Sequence, residues 1–220
     1  MRIAVYIDGF SFYYACFSGP TKSPFTGLKW VDFERLAKNL FPDEDIASVH
    51  YFTAIAPNPP DDPGQADRHA NYLDALRAYT AVTVHVGRFV KTKREVALVR
   101  CPEGMSAQQT AFVWQEKKSD VALATTLIID AIQGNADGLV LVTNDSDFVP
   151  AVQAAKQVSG RMIGIVSPDL SVSKELAKAA DFAWQFDKGL LSVSQLPNPV
   201  VTPQGKAIHK PARWEREPSE

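Results

Sequence analysis

The chain has 220 residues, 45% of them hydrophobic and 22% charged, which is enough for one generous domain and argues against wholesale disorder. With 23 basic against 25 acidic side chains the net charge is −2, so binding of nucleic acid by bulk positive charge is excluded while a local basic patch is not. Cys16 and Cys101 are too few for a disulfide scaffold or a structural zinc site. Neither a signal peptide nor an apolar run of roughly 18 residues is legible, so no membrane is expected and a reduced cytoplasm is the expected compartment.

Arg2 to Ile7, rich in Ile, Val and Tyr, predicts a buried strand ended by Asp8-Gly9. An aromatic helix is expected over Phe10 to Phe17, a loop over Gly19 to Gly27, and a helix over Val31 to Leu40 stopped by Pro42. Ser48 to Ala56 predicts the second strand, and the proline-rich stretch Pro57 to Gly64 an exposed connection. Gln65 to Tyr79 has the spacing of an amphipathic helix, and Thr83 to Val90 reads as a third strand. Lys91-Thr92-Lys93-Arg94 is expected to be a basic turn into a partner strand, Glu95 to Arg100.

Ser119 predicts the N-cap of a helix reaching about Gln133, with Gly134-Asn135 as its C-terminal stop. Gly138 to Val142 predicts a fully buried strand running into Thr143-Asn144-Asp145-Ser146-Asp147. A helix over Phe148 to Val158, a strand over Arg161 to Val166, a short helix to Ala179 and a last strand over Phe182 to Phe186 complete the alternation. Such alternation implies an α/β fold, a mostly parallel sheet with helices on both faces. Residues 1–190 are expected to form the domain, and 191–220 a proline-rich C-terminal tail.

Functional groups in an open α/β sheet gather beyond the carboxyl ends of its strands. Asp8 ends one predicted strand, Asp145 and Asp147 follow another, and Asp120 sits in the first turn of the helix between. Each alone has an ordinary explanation, as a turn cap or a first-turn acid favoured by the helix dipole. Together at one sheet edge they would repel one another unless a cation occupied the space between. Oxygen donors without cysteine suit Mg²⁺ or Mn²⁺, which can bind phosphate oxygens and acidify water, so the pattern suggests phosphodiester chemistry.

Three segments carry a family resemblance: Tyr6-Ile7-Asp8-Gly9-Phe10-Ser11, Glu116 to Ala124, and Val142-Thr143-Asn144-Asp145-Ser146-Asp147-Phe148. They are similar to the signature blocks of NYN domains of the LabA-like branch, relatives of PIN-domain nucleases, over about Arg2 to Phe186. The resemblance implies a Rossmann-like PIN/NYN fold and a metal-dependent ribonuclease. Its catalytic, metal-binding positions would be Asp8, Asp120, Asp145 and Asp147. One or two Mg²⁺ or Mn²⁺ ions would serve, about 3.5–4 Å apart if two. Ser11, Thr143, Asn144 and Ser146 would orient waters and ligands. Ser11 stands where the family commonly has Asn, Thr126 where many members have Asp, and Cys101-Pro102-Glu103-Gly104 where some have a CxxC pair.

RNA, single-stranded or structured, is the expected partner. Arg88, Lys91, Lys93, Arg94, Lys117 and Lys118 are the candidate phosphate contacts, and Phe10, Tyr13 and Tyr14 candidate stacking rings. Trp30, Trp184 and Trp214 raise the prospect of a homo-oligomer. The alternative reading is a non-catalytic RNA-binding or protein-interaction module on the same fold. A haloacid dehalogenase-type phosphatase is disfavoured by Phe10, where a second Asp would stand; a receiver domain lacks its paired acid; and a dinucleotide enzyme lacks its GxGxxG turn.

Overall fold

A computed structural model describes residues 1–18 and 25–215. The loop expected over 19–27 therefore lies mostly outside the described residues. In chain order the elements are β1 (Arg2–Asp8), α1 (Gly9–Phe17), α2 (Phe33–Leu40), β2 (Asp45–Thr53), α3 (Gln65–Tyr79), β3 (Thr83–Val86), β4 (Arg88–Ala97) and β5 (Gln108–Lys117). Then come α4 (Ser119–Gln133), β6 (Gly138–Val142), α5 (Val149–Ser159), β7 (Met162–Ser167), α6 (Lys174–Ala179), β8 (Phe182–Gln185), α7 (Leu190–Val193), β9 (Val200–Val201) and β10 (Ala207–Ile208).

Six strands form one parallel sheet in the order β3-β2-β1-β6-β7-β8. The period of two in β1 divides the molecule. Ile3, Val5 and Ile7 enter a core layer with Phe12, Phe33, Leu36 and Leu76, while Ala4 and Tyr6 enter a second with Leu123, Leu127, Leu139 and Val152. Both faces of the sheet are thus covered, which is why its central strands read as unbroken apolar runs. Strand order reverses between β1 and β6. A crevice opens outside the carboxyl ends of such a pair because their crossovers leave in opposite directions.

Several expectations are corrected. The third strand ends at Val86, and β4 and β5 form a separate antiparallel hairpin, so the basic run is the middle of a strand and not a turn. Lys-Thr-Lys-Arg offers no residue suited to a tight turn. The reversal falls instead between Ala97 and Gln108, where Gly104 has φ +82° and the Met105 amide donates to the Pro102 carbonyl at 3.1 Å. The N-cap of α4 is Lys118, in the left-handed region at φ 90°, and Ser119 is the first helical residue. Asp145 caps a single 3-10 turn, Ser146–Phe148, before α5.

The segment expected to be a tail packs on the domain: Leu191, Leu196, Val200 and Ile208 are buried in the first core layer. Its anchors are long-range. The Leu196 amide donates to the Trp30 carbonyl at 2.9 Å, the Trp30 indole to the Pro197 carbonyl at 3.0 Å, and the Asn71 amide side chain to the His209 carbonyl at 2.9 Å. Trp214 packs edge-on against both Trp30 and Tyr72. The apolar residues here are too widely spaced to register as an element. Trp30 is buried and Trp184 packs on Phe41, so the three tryptophans form no shared external face. Among the described residues no helix is long and apolar enough to cross a membrane; Cys16 is buried and Cys101 exposed.

Candidate active site

Asp8 is the last residue of β1 and the N-cap of α1, which fixes its carboxylate from three sides. One oxygen accepts the Phe10 and Ser11 amides at 3.1 Å each, and the other accepts the Thr143 hydroxyl at 2.9 Å. Gly9 is required at the turn, because a Cβ there would lie 2.6 Å from the Phe52 carbonyl oxygen and 2.8 Å from the Tyr51 ring. Thr143, fully buried at the end of β6, passes the contact onward, its Oγ1 accepting the Asp145 amide at 3.2 Å. The Ser11 hydroxyl accepts the Asn144 amide at 3.2 Å, tying the β1 and β6 ends together a second time.

The crevice between these ends is a cleft of about 700 Å³ lined by Asp8, Phe10, Ser11, Tyr14, Ala15, Phe89, Glu116, Asp120, Asn144, Asp145 and Asp169. Of the four predicted carboxylates, Asp8, Asp120 and Asp145 line it. Asp147 is exposed in the turn beyond, its amide donating to Asp145 at 3.0 Å. Ser11 and Asn144 line the cleft, Thr143 lies beneath, and Ser146 is exposed in the same turn as Asp147. Thr126 does not reach it.

Two acids escaped the sequence reading. Glu116, on β5, accepts the Ser119 amide at 3.1 Å and so caps α4 from outside. Asp169, just after β7, accepts the Asn144 side-chain amide at 2.9 Å, while the Asn144 carbonyl accepts the Ser173 amide at 2.7 Å. Asp169 obeys the same strand-end rule as Asp8. Glu116 was visible only once the strand register placed it across from Phe89.

Among the described residues none of the five lining carboxylates is ion-paired. Burial pushes Asp8 up to about 6, its three hydrogen bonds oppose that, and the negative charge of Asp120 adds to it. Asp120 is raised too, first by loss of water and then by Glu116, Asp145 and Asp147. The cleft therefore holds concentrated negative charge with no internal counter-charge. Its donors are hard oxygens of the kind that Mg²⁺ or Mn²⁺ prefers. Among the described residues, however, no three acidic, histidine or cysteine side chains are grouped closely enough to hold a metal ion. The donor chemistry fits such a cation, and closing on it needs rotation of exposed carboxylates such as Asp120 and Asp145.

The candidate phosphate contacts separate. Directly paired residues of an antiparallel ladder share a face. The register Lys91↔Trp114 and Lys93↔Phe112 sets these lysines on the face of Phe89, while Arg88, paired with Lys117, and Arg94 occupy the other. Arg94 donates to Gln115 at 2.9 Å. Lys118 sits at the hinge from β5 into α4.

The chain is 30% identical over 248 aligned positions to 6-hydroxy-3-succinoylpyridine 3-monooxygenase HspA of Pseudomonas putida, covering 99% of this chain and 77% of that protein. Among solved structures it is similar to a protein of unknown function from Vibrio parahaemolyticus, with a TM-score of 0.50 at 19% identity over 84% of this chain and 93% of that one. That likeness shows a shared fold. The family model described as NYN domain, a family generally of nucleases, matches residues 2–186, the whole span from β1 to just past β8. On that match the chain belongs to the NYN domain family.

Proposed function

We propose that this protein is a metal-dependent ribonuclease that hydrolyses RNA phosphodiester bonds in the acidic cleft. The observation that carries the reading is a buried, uncompensated carboxylate, Asp8, at the reversal point of the sheet, facing Glu116, Asp120, Asp145 and Asp169 across one cleft. Mg²⁺ or Mn²⁺ held by Asp8, Asp120 and Asp145, with Asp147 reached directly or through water, supplies when bound neutralisation of phosphate charge and a more acidic water. The chain's own groups do the rest. Thr143 and the Phe10 and Ser11 amides hold Asp8 still, Asn144 fixes the β6 turn against Asp169, and Ser11 locks that turn to α1. Phe10, Tyr14 and Phe89 form an aromatic wall of the cleft beside Asp8 and Glu116, suited to a nucleobase. Hydrolysis adds a hydroxyl to phosphorus and a proton to the departing oxygen. Lys91, Lys93, Lys117 and Lys118 are the proposed contacts to flanking phosphates.

The test is incubation of labelled single-stranded and structured RNA with Mn²⁺, Mg²⁺ or EDTA. Metal-dependent cleavage lost in Asp8→Asn and Asp145→Asn supports the assignment, and equal cleavage by those variants refutes it. Binding without cleavage selects a non-catalytic RNA-binding module. A second reading comes from the HspA relative: the same aromatic wall would take a substituted pyridine ring. Oxygen uptake on adding 6-hydroxy-3-succinoylpyridine with a two-electron reductant, in a preparation that leaves RNA intact, would favour it.

A further inference from the structure

We propose that one face of the β4–β5 hairpin is a track for single-stranded nucleic acid leaving the cleft, with two bases stacking on Trp114 and Phe112 while Lys91 and Lys93 hold the phosphates between them. The inference rests on the nuclease reading only in taking the cleft as the place the strand comes from. The ladder pairs Phe89 with Glu116, Lys91 with Trp114 and Lys93 with Phe112, so these six side chains share one face. Its inner end is the cleft itself, since Phe89 and Glu116 are cleft walls and Phe89 meets Phe10 edge-on. Its outer part is open: Phe112 is 66% and Trp114 46% exposed.

Both rings are open to solvent over much of their surface. What lies over them is Lys91, whose Nζ is 4.1 Å from the centre of Phe112 and 5.5 Å from that of Trp114. A base can replace the ammonium on a ring while the ammonium moves to a phosphate, so both contacts are exchanged for stronger ones. Successive pairs on a strand face are about 6.8 Å apart, close to the spacing of nucleotides in an extended single strand. On this face Lys91 and Lys93 stand between Glu116 at the cleft end and Glu95 at the outer end, while Arg88, Arg94 and Lys117 lie on the opposite face of the hairpin. A duplex offers phosphates but hides its base faces, so the exposed rings select unpaired strands.

The track is tested by fluorescence anisotropy of labelled oligouridine, oligothymidine and a self-complementary RNA duplex, in EDTA, with the parent chain and the variants below. Phe112→Ala/Trp114→Ala should weaken single-strand binding about tenfold or more and leave duplex binding nearly unchanged. Lys91→Gln/Lys93→Gln should reduce the slope of log affinity against log salt by about 1.4. Oligothymidine bound as tightly as oligouridine places recognition in stacking and phosphate contacts alone, whereas tighter oligouridine makes the track specific for RNA; both uphold it. Unchanged single-strand binding by the ring variant overturns the track, as does failure of the parent to bind either oligonucleotide at low salt. So does a parent dimer that the ring variant dissociates in sedimentation, which would make this face a contact between copies. Because binding is read without metal, ring variants that bind normally while Asp8→Asn loses cleavage sink the track alone. Loss of binding in a protein that never cuts RNA sinks the nuclease reading alone.

Discussion

Replacing Asp8 by Asn should make the protein more stable while removing its proposed activity. Asp8 is 6% exposed and its carboxyl is pushed from 3.8 up to about 6, so its charge is less welcome in the folded than in the unfolded chain. That difference is worth about 3 kcal/mol. The folded value lies above the unfolded one, so the stability in question is fully present below pH 3.8 and lost as pH rises through about 6. Asn at this position keeps the geometry: its oxygen can accept the Phe10 and Ser11 amides and its NH₂ can donate to Thr143 Oγ1. Urea unfolding of both proteins in EDTA should give nearly equal stability at pH 4. By pH 7.5 the gain in Asp8→Asn should approach about 3 kcal/mol, roughly 6–12 °C in thermal midpoint. Adding Mn²⁺ should then stabilise the parent far more than the variant. Equal or lower stability of Asp8→Asn at pH 7.5 would refute the argument that an uncompensated charge is stored at the end of β1.

Other substitutions probe the surrounding framework. His69 is pushed down to about 4 by burial, so the folded chain resists protonating it and stability should fall as pH drops from 6.5 towards 4; His69→Gln should remove up to about 3 kcal/mol of that dependence in acid-range urea titrations. Gly9→Ala should cost about 2 kcal/mol in chemical denaturation, since its Cβ meets the Phe52 carbonyl at 2.6 Å, and should abolish cleavage by displacing Asp8. Lys118→Gly should gain about 1 kcal/mol by relieving a left-handed backbone at φ 90° while weakening RNA binding in the same preparation. Trp214→Ala should lower stability by about 2 kcal/mol in thermal melts through lost packing on Trp30 and Tyr72.

Much of the framework was legible because the main sheet is parallel and buried. Arg2 to Ile7 and Gly138 to Val142 are apolar on both faces, which water-exposed strands cannot be, and Gln65 to Tyr79 shows its helical period directly. The hairpin was less legible. Its strands are exposed on both faces and carry no apolar alternation, so Lys91 to Arg94 read as a turn. The 191–215 segment was missed for a different reason: its contacts are made by isolated residues, Leu196, Val200, Ile208 and Trp214, each meeting a partner far away in sequence. Asp8, Asp120 and Asp145, each at or just beyond an end of an element clear in the sequence, line the cleft. Glu116 was hidden by its strand register, and Asp169 by the Ser167-Pro168 break that separates it from β7.

The position of β1 has a consequence for biogenesis. β1 pairs on one side with β2, at residues 45–53, but on the other with β6, at residues 138–142. Until that distant partner has been translated, a strand of Ile, Val and Tyr waits with one edge bare, a long-range closure that slows folding and invites aggregation. Thr143 and Asp145 arrive only with the same late strand. A nascent chain therefore carries no assembled cleft until β6 and the turn after it have been made.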